Sequence, residues 1–171
     1  MTTWPANRVA MRGALFTWAS TVLPGFTVRW AEQDYDRPAY PFVILRFVDA
    51  PQEEARSTET ITTPAPPVAQ NVVRAPASMV LEVQLFADTN QEVARVALRQ
   101  SLAAEYPHRE NLRAVGLAVG EIVSDQDLTQ VVATKHEYRG LFEVRLRVAV
   151  QHTIPDYPWV ETVEDAVIGV F

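Results

Sequence analysis

The sequence predicts an α+β fold: a mostly antiparallel β-sheet with two α-helices packed on one face, plus a long proline-rich arm or loop. Two patterns of period two and one of helical period carry that expectation. Residues 78–86 set Met79, Leu81, Val83 and Leu85 at every second position, with Glu82 and Gln84 between them. Residues 140–150 repeat the arrangement with Phe142, Val144, Leu146, Val148 and Val150 against Glu143, Arg145 and Arg147. Successive side chains of a strand point to opposite faces, so both segments read as strands with one buried face. In contrast, Met11, Leu15, Trp18 and Val22 recur at spacings of four, three and four, which is one apolar stripe along a helix over residues 5–22.

The remaining elements follow from local chemistry. Thr3 is the expected N-cap of the first helix, Pro5 is tolerated in its first turn, and Pro24-Gly25 stops it. A short strand is expected over 26–30 and a second over 40–48, where Phe42, Val43, Ile44, Leu45 and Phe47 form a nearly continuous apolar run broken by Arg46. Between them, Pro38 and Pro41 bias the preceding residues towards extended backbone, as suits a loop leading into a strand. Residues 49–77 change character, mixing Pro51, Pro64, Pro66, Pro67 and Pro76 with Thr, Ser, Glu and Ala. They read either as an exposed loop or as two strand arms joined by a proline-rich tip, and a loop of that length in a compact domain is functional or disordered.

Thr89-Asn90-Gln91-Glu92 has the form of a capping box, in which Thr89 accepts from the third helical amide and Glu92 reaches back to the cap amide. The second helix then follows the stripe Ala94, Ala97, Leu98, Ser101 and Leu102 to about residue 105, where Tyr106-Pro107 stops it. A turn is expected around 108–111. A strand is expected over 113–123, with Val115, Leu117, Val119 and Val123 on one face and Gly116 and Gly120 weakening it. One helical turn is expected at 125–128 and a last strand around 166–171.

Composition bounds the function. The 171 residues suit one domain over 1–171, and 48% hydrophobic with 21% charged residues is the balance of a folded globular chain. With no cysteine, disulfides and thiolate metal sites are excluded. The amino-terminal residues show no signal peptide and no stretch approaches the ~18 apolar residues of a membrane span, so synthesis in the cytoplasm is the expectation. The net charge of −6, with Asp156, Glu161, Glu164 and Asp165 in a stretch from 153 to 171 free of Lys and Arg, is the reverse of a nucleic-acid binder's basic stripe.

Searching for catalysis yields little. His108, His136 and His152 have no metal-ligand spacing, no serine sits in a nucleophile elbow, and the six glycines build no phosphate-binding loop. Glu53 with Glu54, or Asp125 with Asp127, read most simply as solvated surface. No cofactor is expected. Trp18 and Trp30 fit the core, whereas Trp159, among acids, is a candidate contact anchor between subunits.

The order of elements, together with Gln33, the run Arg37-Pro38-Ala39-Tyr40-Pro41-Phe42, the strand-to-helix stretch 83–96 and the segments 139–150 and 163–170, resembles the tail terminator (neck) family of long-tailed bacteriophages. The resemblance implies a non-catalytic virion protein that caps the tail tube as a homo-oligomeric ring, usually of six, and presents a surface to the head. Tail tube protein and a head-closure or connector protein are the implied partners, with DNA passing through the lumen without specific binding. Interface candidates are Arg37 and Pro38 in the loop, Pro66 and Pro67 in the arm, Arg145 and Arg147 on the late strand, and Trp159. Another neck component, such as a tail completion or head-closure protein, or a small-ligand binding domain, is the alternative.

Overall fold

A computed structural model of the protein describes residues 8–33, 36–53, 59–63, 70–102, 107–132 and 135–154. Chain order is α1 (Arg8–Val22), β1 (Thr27–Trp30), β2 (Phe42–Phe47), β3 (Gln52–Glu53), β4 (Glu59–Thr63), β5 (Gln70–Ala87), α2 (Glu92–Ser101), α3 (Pro107–Ala114), β6 (Leu117–Asp127), β7 (Gln130–Val132) and β8 (Lys135–Ile154). The sheet order is β1-β2-β5-β8-β6, with only the β1–β2 pair parallel.

Two long strands make the spine. β5 and β8 pair without interruption from Asn71↔Ile154 to Ala87↔Tyr138. β2, β3 and β4 each pair with a successive stretch of β5, and β6 and β7 pair with β8. The proline-bearing residues 64–69 lie outside the described residues.

Alternation of polarity decides which face is covered. Val43 and Leu45, then Met79, Leu81, Val83 and Leu85, then Phe142, Val144, Leu146 and Val148 share one face by register. That face forms one core with Met11, Leu15 and Trp18 of α1, Leu98 of α2 and Leu112 of α3. Inside it, the Trp18 indole Nε1 donates to Ser101 Oγ at 2.8 Å and that hydroxyl donates to the Leu98 carbonyl at 2.7 Å, so the polar groups where α1 meets α2 are satisfied.

Several boundaries depart from the sequence reading. α1 begins at Arg8 among the described residues, so the expected Thr3 cap lies outside them. Gly25, at φ 94°, makes the left-handed turn that leads from α1 towards β1. The capping box does not form: Gln91 is the N-cap of α2 with no side-chain cap bond, Glu92 is already helical, and Asn90 Oδ1 accepts from the Glu92 amide at 2.7 Å. α2 ends at Ser101.

Pro107 starts a third helix instead of merely stopping the second, because a proline at the first helical position gives up an amide that has no partner there anyway. The turn expected at 108–111 is therefore the body of α3. Residues 125–127 are strand, not a helical turn: β6 carries bulges between Val119 and Ser124, after which Asp125 faces α2 and pairs with Arg95 and Arg99. Gly120 sits in the bulge where a Cβ would lie 2.9 Å from the Arg145 carbonyl oxygen, which is why no larger residue fits. The expected strand at 166–171 lies outside the described residues.

Candidate functional site

The opposite face of the sheet carries no helix among the described residues. Its side chains are Ile44 and Arg46 of β2, Ser78, Val80, Glu82 and Gln84 of β5, and Leu141, Glu143, Arg145 and Arg147 of β8. Apolar and charged groups alternate across it, and most are half-buried by their neighbours alone. Three of these ten side chains are apolar and the others polar or charged, the ordinary make-up of an antiparallel face that no helix covers.

Its charges are held by cross-strand pairing. Arg46 Nη2 lies 2.9 Å from Glu82 Oε2, and Gln84 Nε2 donates to Glu82 Oε1 at 2.7 Å. Glu82 is only 6% exposed, so these two partners replace the water that its carboxylate has lost. Glu143 stands directly opposite Glu82 in the register. Arg145 pairs with Glu121 of β6, and Arg147 is exposed beyond it.

At another corner the loop before β2 builds an aromatic stack. The Arg37 guanidinium lies over the rings of Tyr40 and Phe42, at 5.3 and 5.7 Å, and donates to the Tyr40 hydroxyl. Phe42 stacks on Phe86 with ring centroids 4.6 Å apart, and Arg139 covers Phe86 from 4.8 Å. A cation held over an aromatic face keeps its charge while shielding the ring from water. Pro38 is half-buried in this loop, and the Tyr40–Pro41 peptide is cis.

Of the sequence candidates, the structure brings Arg145 and Arg147 together on β8 and sets Arg37 apart from them. Arg139, which shares the stack with Arg37, is eight residues from Arg147 on β8, a separation of about 27 Å along a strand. Pro66, Pro67 and Trp159 lie outside the described residues. The sequence reading missed Arg46, Glu82 and Arg139 as site residues. The signal was present in the first two, as charged residues inside otherwise apolar strands, whereas the Arg139–Phe86 contact depends on the register of β5 against β8.

Chemistry beyond contact is sparse. No group of three or more His, Asp or Glu converges to hold a metal among the described residues. Asp127 has its carboxyl held below the usual range by hydrogen bonds from the Thr129 hydroxyl and amide, a local turn feature. A groove of about 280 Å³ opens between the end of α1 and the start of α2, lined by Leu23, Phe26, Ala87, Gln91, Val93 and Ala97 among others.

The family model described as phage neck terminator protein matches residues 10–171. No curated protein matches the chain. The match takes in every described strand, α2, α3 and all but the first two residues of α1. A match of this extent establishes the family: the chain belongs to the phage neck terminator family, structural proteins of the phage neck.

Proposed function

We propose that this chain caps the phage tail tube as a homo-oligomeric ring of six subunits and presents the surface on which the head is joined. The observation that carries the proposal is the family match over residues 10–171. The helix-free face of the sheet supports it, because a ring subunit needs a rigid core and a second surface whose charges are fixed before a neighbour arrives. The sheet margins point the same way. The Trp30 amide on β1 is taken by Gln33 Oε1 at 3.3 Å, and at the β6 bulge Arg109 donates to the Val119 carbonyl at 2.8 Å. Margins blunted in this manner discourage unlimited strand-to-strand growth and leave faces and loops to make the contacts.

In this reading Arg145 and Arg147 face a neighbouring subunit, the arm over residues 49–77 with Pro66 and Pro67 reaches the neighbour or the tail tube protein, and Arg37 with Pro38 fixes the loop that flanks the contact. The net charge of −6 repels DNA phosphate, so a genome slides through the lumen without being trapped. Head-closure or connector protein meets the other face of the ring.

Native mass spectrometry and negative-stain imaging, over a concentration series and with purified tail tubes, test this. Closed six-membered rings, free or seated on tube ends, are expected. A chain that stays monomeric even with tubes overturns the reading, and binding to connectors but not to tubes reassigns it to head closure.

A further inference from the structure

We infer that copies of this chain join through the far end of the sheet: the outer margin of β4 pairs, in parallel, with residues 149–154 of β8 in a second copy. The inference rests on the ring reading and names the backbone contact that closes the ring. On one side of the long β5–β8 ladder β6 stops at Leu117↔Val148, and on the other side β4 is the last strand to pair. What remains is a layer of three strands. Glu59, Arg74 and Gln151 make one of its rows, and Thr62, Asn71 and Ile154 make the row three residues further on. Among the described residues no strand lies outside β4, and none lies outside residues 149–154 of β8.

A strand at a margin turns the amide and carbonyl of alternate residues away from its partner, so each of these two margins presents about two or three donors and as many acceptors. Elsewhere the sheet guards its margins. β1 is four residues long with its Trp30 amide taken by Gln33, and β6 carries bulges and gives its Val119 carbonyl to Arg109. The far margins have no such guard. Residues 149–154 contain no Pro, Gly, Lys, Arg, Asp or Glu, and β4 reads Glu-Thr-Ile-Thr-Thr, four of its five residues β-branched. Strands of that composition, left open, are templates for a further strand.

A second copy supplies that strand because the two open margins fit each other. They bound the same layer at the same rows, and both strands are antiparallel to β5, so β4 and β8 run in one direction. Rotating a copy about an axis along the strands therefore brings its β4 beside β8, parallel and in line. Pairing β4 with β4, or β8 with β8, leaves the other margin open, whereas pairing β4 with β8 uses both. Such a contact is heterologous, and repeated by a rotation that closes it makes a ring with no free edge. The unguarded margins are then the ones the ring hides, and the guarded β1 and β6 stay outside the contact.

The absence of cysteine makes the test direct. Ile61→Cys on β4 is combined in turn with Ala149→Cys, Gln151→Cys and Thr153→Cys on β8, alternate positions that keep one face through a shift of register. Within one chain β5 separates β4 from β8 by about 10 Å, beyond the ~7 Å between Cα atoms that a disulfide spans, so a link joins two copies. Oxidation after assembly with tail tubes is expected to turn most of the chain, in at least one of the three pairs, into a ladder of covalent oligomers. Mixing the two matching single variants is expected to give dimers that neither gives alone. Native mass spectra before oxidation read ring formation separately. Rings with no link from any pair overturn this inference and leave the ring reading intact, the result if residues after Ile154 of the same chain fill the β8 margin. Dimers from one single variant oxidised alone mean an isologous contact and overturn the head-to-tail assignment, and no rings overturn both readings.

Discussion

The two faces of the sheet are built from the same strands and answer to different physics. On the helix-covered face Leu81, Val83, Leu85, Phe142 and Leu146 have no measurable exposure, and the polar groups are few and matched, as with Trp18 and Ser101. On the other face, one residue along each strand, the side chains are half-buried and held by pairs such as Arg46–Glu82 and Arg145–Glu121. One face is optimised for the subunit alone. The other keeps its side chains half-buried, with its charges held by cross-strand pairs. Mutations on the first face should change stability, and mutations on the second should change assembly.

The largest expected break is Leu146→Ala, which opens a cavity under the helices and should cost about 2–5 kcal/mol in denaturant unfolding. Ser101→Ala comes next, leaving the Trp18 indole donor unmatched in the core at a cost of about 1–3 kcal/mol. Arg46→Ala tests the second face: Glu82 then keeps a poorly solvated charge, and the loss should be about 1 kcal/mol, since Arg46 is itself half-exposed and screened. Adding Glu82→Gln should recover most of it. Arg145→Ala removes an exposed pair with Glu121 and should move unfolding by less than about 1 kcal/mol, while under the proposed ring reading it weakens ring formation in native mass spectra. A Leu146→Ala protein as stable as the wild type, or an Arg145→Ala protein that unfolds early, would erase the contrast between the faces.

The smallest effect is electrostatic. The Asp127 carboxyl is held below the usual range chiefly by Thr129, so its contribution is present above the ordinary carboxylate pKa and is lost as pH falls through the folded value. Thr129→Ala should raise the Asp127 midpoint in an NMR titration while leaving stability at neutral pH almost unchanged.

Period was legible in the sequence and partnership was not. The stripe through Met11, Leu15 and Trp18 and the alternation over 79–85 and 142–150 name the buried face directly, because burial imposes its repeat on the residues. Pro107 misled because the same ring that ends one helix is suited to begin another. Asp125 to Asp127, poor strand formers, are strand because Arg95 and Arg99 hold Asp125 from a helix some thirty residues away in sequence. At the candidate site, Arg145 and Arg147 were readable from alternation, while the pairing of Arg46 with Glu82 and of Arg139 with Phe86 depends on which strands become neighbours.

The placement of β8 sets the timetable of the protein's own synthesis. It is a central strand, paired on one side to β5 and on the other to β6, yet it is the last described element to leave the ribosome. Asn71 waits for Ile154, and Leu117 for Val148. Ladders of that sequence separation form late, because the chain between their ends must be ordered before they can reward it. A nascent chain thus has no completed sheet until β8 arrives, and both faces of the sheet are finished in the same step.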